Sequence, residues 1–204
     1  MSAIRPYRPA DLGALYEICL KTGDSGQDAS HLHQDPKVVG HLYAGPYGVL
    51  SPETALVAED GEGVGGYIVG ALETVAFEDR LERDWFPTLR QFYAVPDRSH
   101  SNTWGLDEQR AWLLHHPHRT PRYLTERWPS HMHINFLPRL QGAGLGKAMV
   151  DRWLDLMRGL GSAGVHLGVS AQNTRALRFY AVYGFEELVP ETPMRGVHWF
   201  VMSL

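Results

Sequence analysis

The segment from Arg139 to Lys147, RLQGAGLGK, constrains this chain more than any other stretch. It follows a run, His131 to Leu137, that reads as a strand. It opens a stretch, Gly144 to Leu160, that reads as an amphipathic helix with Met149, Trp153, Met157 and Leu160 on one face. Gly142, Gly144 and Gly146 stand at alternate positions across the junction. Glycine loses more backbone freedom on folding than any other residue, so this cluster is costly unless the turn needs unusual dihedrals or a close backbone approach. A helix start with several open N–H groups suits a phosphate or pyrophosphate. The spacing does not fit the dinucleotide fingerprint G-x-G-x-x-G. A P-loop would need Ser or Thr after Lys147, where this chain has Ala148. A glycine-rich helix start without a ligand is the bland alternative.

The rest of the composition narrows the class. A chain of 204 residues fits one domain, 1–204, with 44% apolar and 21% charged residues, as in ordinary globular proteins. A net charge of -4 without any basic run argues against nucleic acid as a partner. No stretch approaches the roughly twenty apolar residues that cross a bilayer. The N-terminus MSAIRPYRP lacks the apolar run of a signal peptide, so a cytoplasmic address and no membrane partner are expected. Cys19 is the one cysteine, which rules out an internal disulfide and suits a small buried hydrophobe.

Apolar periodicity gives a coarse order of elements. Ala3 to Tyr7 reads as an edge strand. A helix follows from Pro9 to about Gly23, with Leu12, Leu15, Tyr16 and Cys19 as its stripe. Thr22 to Ser30 is loop-like, and Pro36 to Leu42 is a second helix. Thr54 to Glu59 and Val64 to Thr74 form a hairpin. The stretch 76–129 loses its rhythm and is too long for a structureless loop, so it reads as a helical insertion with a helix over Leu106 to His115. It could shape a substrate mouth. The strand Val165–Val169, the helix Asn173–Tyr183 with Gly184 as its cap, and the strands Phe185–Val189 and Val197–Met202 close the chain.

Two motifs resemble those of the GNAT superfamily of N-acetyltransferases. Gln141, Gly144 and Gly146 fit its acyl-CoA loop, [Q/R]-x-x-G-x-[G/A]. Asn173, Ala176, Phe179, Tyr180, Gly184 and Phe185 fit N-x-x-A-x-x-F-Y-x-x-x-G-F. The opening IRPYRPAD also looks like the superfamily's first strand and turn. A narrower similarity runs through YEICLKTGDSGQDAS, YGVLSPETALVAED and GYIVGALET. These segments resemble the acetyltransferase-like C-terminal domain of O-GlcNAc-removing hexosaminidases and its stand-alone bacterial relatives. In the hexosaminidase-attached form the acyl-CoA loop is degraded, whereas this chain keeps Gln141, Gly142, Gly144 and Gly146.

The resemblance implies a mixed α/β (α+β) GNAT acyltransferase fold, with a twisted mixed sheet of about six to seven strands flanked by helices. It implies acetyl-CoA as cofactor, with acetyl transfer to a primary amine of a small molecule, peptide or protein by direct attack in a ternary complex. A catalytically silent CoA-binding or protein-interaction module is the alternative, and a homodimer stays open. The cofactor residues implied are Phe136, Leu137, Arg139, Leu140, Gln141, Gly142, Ala143, Gly144, Leu145, Gly146, Lys147, Asn173, Phe179 and Tyr180. Main-chain N–H groups from Leu140 to Gly146 would hold the pyrophosphate, and those near Phe136 and Leu137 the pantetheine arm. An N–H near Asn135 would polarise the acetyl carbonyl. Tyr180 would protonate the leaving thiolate.

Other candidates come from the residues themselves. His131, His133 and Asn135 alternate onto one strand face, with Met132, Ile134 and Phe136 opposite. His133 is a candidate general base, or a structural histidine. Glu73, near the end of the second hairpin strand, is another candidate base. Asp24 and Asp28 would attract an amine cation, or simply cap a polar loop. His115, His116 and His118, like His31 and His33, lack the spacing and cysteines of a metal site, so no metal is expected. Trp104, Trp112 and Trp128 either line an apolar pocket or bury the insertion against the sheet.

Overall fold

The computed structural model describes residues 2–189 and 196–204. Strand β1 (Ala3–Pro6) leads into helix α1 (Leu12–Lys21). Two short helices follow, α2 (Val38–Tyr43) and α3 (Gly45–Leu50), and then the hairpin β2 (Leu56–Asp60) and β3 (Gly63–Ala71). The insertion carries α4 (Thr74–Arg80), a π-helical turn at Leu81–Trp85, α5 (Phe86–Leu89), α6 (Leu106–His115) and α7 (Arg122–Thr125). The chain then runs through β4 (Ser130–Phe136), α8 (Leu145–Gly159), β5 (Gly164–Ser170), α9 (Thr174–Tyr183), β6 (Glu186–Leu188) and β7 (Val197–Ser203).

The seven strands form one sheet in the order β1-β2-β3-β4-β5-β7-β6. Every neighbouring pair is antiparallel except β4 and β5, which are parallel and pair only at Ser130↔Val165 and His131↔His166. Beyond His131 the two strands therefore separate, and the unpaired edges face a gap.

Both faces of the sheet are covered. One carries α8 and α9, with Ile68, Met132, Met149, Trp153 and Met157 in its core. The other carries α1, α2 and α3, with Leu15, Ile18, Val38, Tyr47, Tyr67 and Val69. Burial on both faces explains why β3 reads as a continuous apolar run rather than an alternation. On α8 the Trp153 indole is fully buried and donates to Thr54 C=O at 2.8 Å, locking the helix to the hairpin.

Several sequence expectations shift. Leu160 is 45% exposed, and the α8 face is completed by Val150 and Leu154 instead. The hairpin strand ends at Ala71, because Thr74 is already the first residue of α4 and its N–H bonds Pro129 C=O. Helix α3 is unexpected from its sequence, GPYGVL. It forms because Tyr16 fills the space above Gly40 and Gly45, where a Cβ would lie 2.3 Å from the ring or its hydroxyl. Propensity loses to packing there. Trp128 is buried with Leu124 and Val201, while Trp104 and Trp112 pack on each other within the insertion at 5.2 Å.

Candidate active site

A cavity of about 400 Å³ lies where β4 and β5 part. Ile134, Asn135 and Phe136 of β4 form one wall, the glycine turn another, and Asn173, Phe179 and Tyr180 of α9 a third. Gly142 and Gly144 have φ of +82° and +77°, a conformation other residues adopt only with strain, so the turn needs glycine at both. The first helical hydrogen bond of α8 runs from Ala148 N–H to Gly144 C=O. The amides from Gly142 to Lys147 precede it and have no protein acceptor among the described residues.

The donor set is displaced from the expected one. Leu140 and Gln141 spend their N–H groups inside the turn, on Leu137 C=O and Pro138 C=O. The open amides therefore start at Gly142 and extend to Lys147. Leu137 N–H bonds Gly65 C=O at 2.8 Å, so Leu137, and by alternation Asn135, aim their amides at β3. The amides facing the gap are those of Ile134 and Phe136. This corrects the expectation for Leu137 and for an N–H at Asn135, and it keeps Phe136.

Side chains sort in the same way. Gln141 donates to Phe136 C=O at 2.6 Å and accepts from Arg175, tying the turn to β4 and α9. Arg139 is a correction. Its guanidinium lies over Gly65 and bonds Asp60 at 3.2 Å and Gly63 C=O at 3.2 Å, so it braces the hairpin away from the cavity. Ala143 and Leu145 do not line the cavity, while Leu140, Gly146 and Lys147 do. Lys147 Nζ is held by Asp151 at 2.8 Å. Asn173 caps α9 by accepting from Ala176 N–H at 3.1 Å and also faces the cavity. Asn135 donates to Thr22 Oγ1 at 2.7 Å, fixing the loop whose Ser25, Gly26 and Gln27 close the mouth. Tyr180 is buried, which pushes its hydroxyl pKa well above the ordinary range and keeps it protonated.

Asp24 and Asp28 line neither this cavity nor the next one. The main chain of Asp24 pairs with that of Gln27, and the Asp28 carboxylate accepts from Ser30 N–H. Glu73 is also corrected. It is an exposed residue just before α4 and lines neither cavity.

A second cavity, about 280 Å³, lies deeper along β4. His131, His133 and His166 form its polar wall. Tyr43, Tyr47, Phe77 and Trp199 give it an aromatic body, and the insertion roofs it at Pro117 to Pro121. Successive same-face residues on a strand are about 7 Å apart, so His133 stands one such step from Asn135 and the first cavity. Burial holds all three imidazoles below their usual pKa, His133 at about 4. Trp199 contributes where Trp104, Trp112 and Trp128 do not. Tyr47, Thr74, His166 and Trp199 carried no periodic or motif signal, because they converge from separate segments.

Of the other histidine candidates, His118 lines the second cavity, and three are engaged elsewhere. His33 pairs with Asp107 at 2.6 Å, His115 bonds Tyr93 C=O at 2.6 Å, and His116 stacks on Trp112 at 3.8 Å. Among the described residues no group of three or more His, Cys, Asp or Glu is arranged to hold a metal. No described helix is long and apolar enough to cross a membrane. Cys19 is buried, and burial raises its thiol to about 11.

Comparison with known proteins decides the family. The acetyltransferase (GNAT) domain family matches residues 124–204. The crystal structure of SsHAT shares 35% identity and a TM-score of 0.88, over 99% of this chain and 98% of that one. The chain belongs to the GNAT acetyltransferase superfamily. It is also 25% identical over 187 residues to protein O-GlcNAcase of Rattus norvegicus and of Mus musculus. That match covers 91% of this chain but only 20% of each curated relative, so the chain spans about a fifth of their length. The fold, at 17% identity, is also that of yncA from Salmonella typhimurium, solved with its cofactor acetyl-CoA, with a TM-score of 0.55 over 100% of this chain and 92% of that one. The activity that goes with the superfamily is acetyl-CoA-dependent acetyl transfer to an amine.

Proposed function

We propose that this protein transfers an acetyl group from acetyl-CoA to a primary amine in a ternary complex. The thioester would enter through the larger cavity and the amine through the histidine-lined one. The observation that carries this is the set of open amides from Gly142 to Lys147 at the mouth of the gap between β4 and β5. Their partial charge and the start of α8 suit a diphosphate. The free edge of β4 at Ile134 and Phe136 suits an amide-bearing arm laid along it as an extra strand. Acetyl-CoA supplies the activated acyl group.

The protein's own groups then have separate tasks. Gln141 and Arg175 hold the turn. The Ile134 or Phe136 N–H polarises the carbonyl. Tyr180 supplies a proton to the departing sulfur, and its raised pKa keeps that proton in place until sulfur needs it. His133 is the base. The second cavity is at the small end for ligand sites, which favours a small amine or the end of a side chain over a folded surface.

Isothermal titration with acetyl-CoA tests the reading. Micromolar binding is expected, and absence of binding overturns it. Tyr180→Phe should lower kcat by about 100-fold while leaving acetyl-CoA affinity within about twofold. Tight binding without release of CoA thiol across a panel of small-molecule and peptide amines would instead indicate a silent CoA-binding module.

A further inference from the structure

The acceptor cavity contains a chain of hydrogen bonds whose directions follow from one fixed end. Pro129 C=O can only accept, so Thr74 Oγ1–H, at 2.6 Å, donates to it. With its proton committed, Thr74 Oγ1 accepts from His131 Nδ1 at 2.7 Å. A neutral imidazole carries one N–H, so His131 Nε2 is an acceptor and takes the Tyr47 hydroxyl proton at 2.8 Å. The Tyr47 oxygen then accepts from His133 Nε2 at 3.1 Å. His133 is left with its proton on Nε2 and a bare lone pair on Nδ1. Among the described residues that atom has no hydrogen-bond partner and is not one of the sealed, unpartnered polar atoms, and His133 lines the cavity.

We propose that Thr74, His131 and Tyr47 are positioning residues that lock His133 in the tautomer presenting Nδ1 to the incoming amine. The inference rests on the acetyltransferase reading and adds the identity of the proton-accepting atom. In the step it serves, the amine nitrogen bonds the acetyl carbon and the carbon–sulfur bond breaks with its electron pair on sulfur. One N–H proton passes to His133 Nδ1, and sulfur takes the Tyr180 proton. Water then removes the proton from His133 and restores that of Tyr180. The imidazolium keeps its Nε2–H bond to Tyr47 throughout, so the ring need not turn.

The surroundings agree with a neutral relay. The titratable and charged groups around His133 are Tyr43 on α2, Tyr47 on α3, Glu78 on α4, Arg110 on α6, His118 and Arg119 on the segment before α7, and His131 and His166 on β4 and β5. Glu78 Oε1 accepts the N–H and hydroxyl of Thr120 at 2.9 and 2.7 Å, and its Oε2 lies 3.5 Å from the Arg119 guanidinium. Arg110 stacks its cation over Tyr43, 5.7 Å from the ring centre. His166 Nδ1 donates to Trp128 C=O at 2.6 Å, which fixes its tautomer too. Among the described residues no carboxylate is hydrogen-bonded to His131, His133 or His166. Burial pushes His131 well down, so the one-proton count used above applies near neutral pH.

Nitrogen-15 NMR of the protein's histidines, before any substrate is chosen, gives the first test. His133 should appear as the Nε2–H tautomer. A predominant Nδ1–H form overturns the proposal. Tyr47→Phe keeps the ring stack on Phe77 at 4.5 Å and should fold, but it should mix the two His133 tautomers. In thiol-release assays with acetyl-CoA and a responsive amine, Tyr47→Phe should lower kcat about tenfold with the KM for acetyl-CoA unchanged. His133→Ala should lower kcat/KM by about 100-fold or more and abolish the acid limb of its pH profile. Thr74→Ser should retain the wild-type rate and Thr74→Val should not. If His133→Ala binds acetyl-CoA normally and keeps its turnover and acid limb, the proposal fails while the acetyltransferase reading stands. If acetyl-CoA does not bind the wild-type protein, that reading fails first.

Discussion

The two cavities are built by different means. The larger one is made of main chain: consecutive amides of one turn, one free strand edge and the start of one helix, with side chains only bracing the parts. The smaller one is made of side chains brought together from α2, α3, α4, β4, β5, β7 and the insertion. A cavity lined by one contiguous turn tolerates many changes around it but few within it. A cavity assembled from distant side chains depends on the whole packing and on each group's protonation.

The largest effect should come where both cavities share a support. Trp153 is fully buried beneath the hairpin, and Trp153→Ala should cost about 3–5 kcal/mol of stability, read from urea unfolding. Loss of only the acetyl-CoA side, with the histidine cavity intact by NMR, would show that the two regions do not share that support.

Acid should separate them next. His131, His133 and His166 have folded pKa values below the unfolded value of about 6.5. Below that value the unfolded chain binds more protons than the folded one, so stability is complete above about pH 6.5 and falls as pH drops. The loss is up to about 1.4 kcal/mol per pH unit for each histidine, and for His133 it continues to about pH 4. Urea midpoints at pH 7.5 and 5.5 should differ, and His133→Gln should reduce the difference. A flat profile would remove the claim that these imidazoles are held neutral.

Gly144→Ala should strain the turn by about 1–2 kcal/mol, because alanine meets the same φ of +77° at a cost glycine avoids. Acetyl-CoA affinity should fall about tenfold in titration while the His133 NMR signals stay in place. The smallest effect should come from Asp107→Asn. Asp107 on α6 bonds His33 and the N–H groups of Gln34 and Asp35, pinning the insertion to the loop before α2. Its loss should cost about 1 kcal/mol and raise amide exchange at 33–35, with acetyl-CoA affinity unchanged.

The difference between the cavities also sets how much of each was legible in the chain. The glycine turn, α8, β5 and α9 follow from local pattern, and α6 spans Leu106–His115, where a helix is expected within the insertion. Glu73, Asp24 and Asp28 were plausible by charge and position, but all three lie outside both cavities, and the Asp28 carboxylate serves its own loop. Arg139 sits beside the loop in sequence and belongs to the hairpin in space, since Gly65 leaves room for its guanidinium. Tyr47 and Thr74 could not be singled out, because a hydroxyl's role depends on which imidazole it meets.

The order of residues alone settled the turn from Gly142 to Lys147, because left-handed dihedrals and a helix start are properties of a few consecutive residues. It equally settled the hairpin and the amphipathic pattern of α8. Folding in three dimensions decided which amides remain open, where β4 and β5 part, and which nitrogen of His133 carries its proton. The last of these depends on distant partners, Thr74 and His131 at a separation of 57 and Tyr47 and His133 at 86, and no local pattern encodes such a meeting.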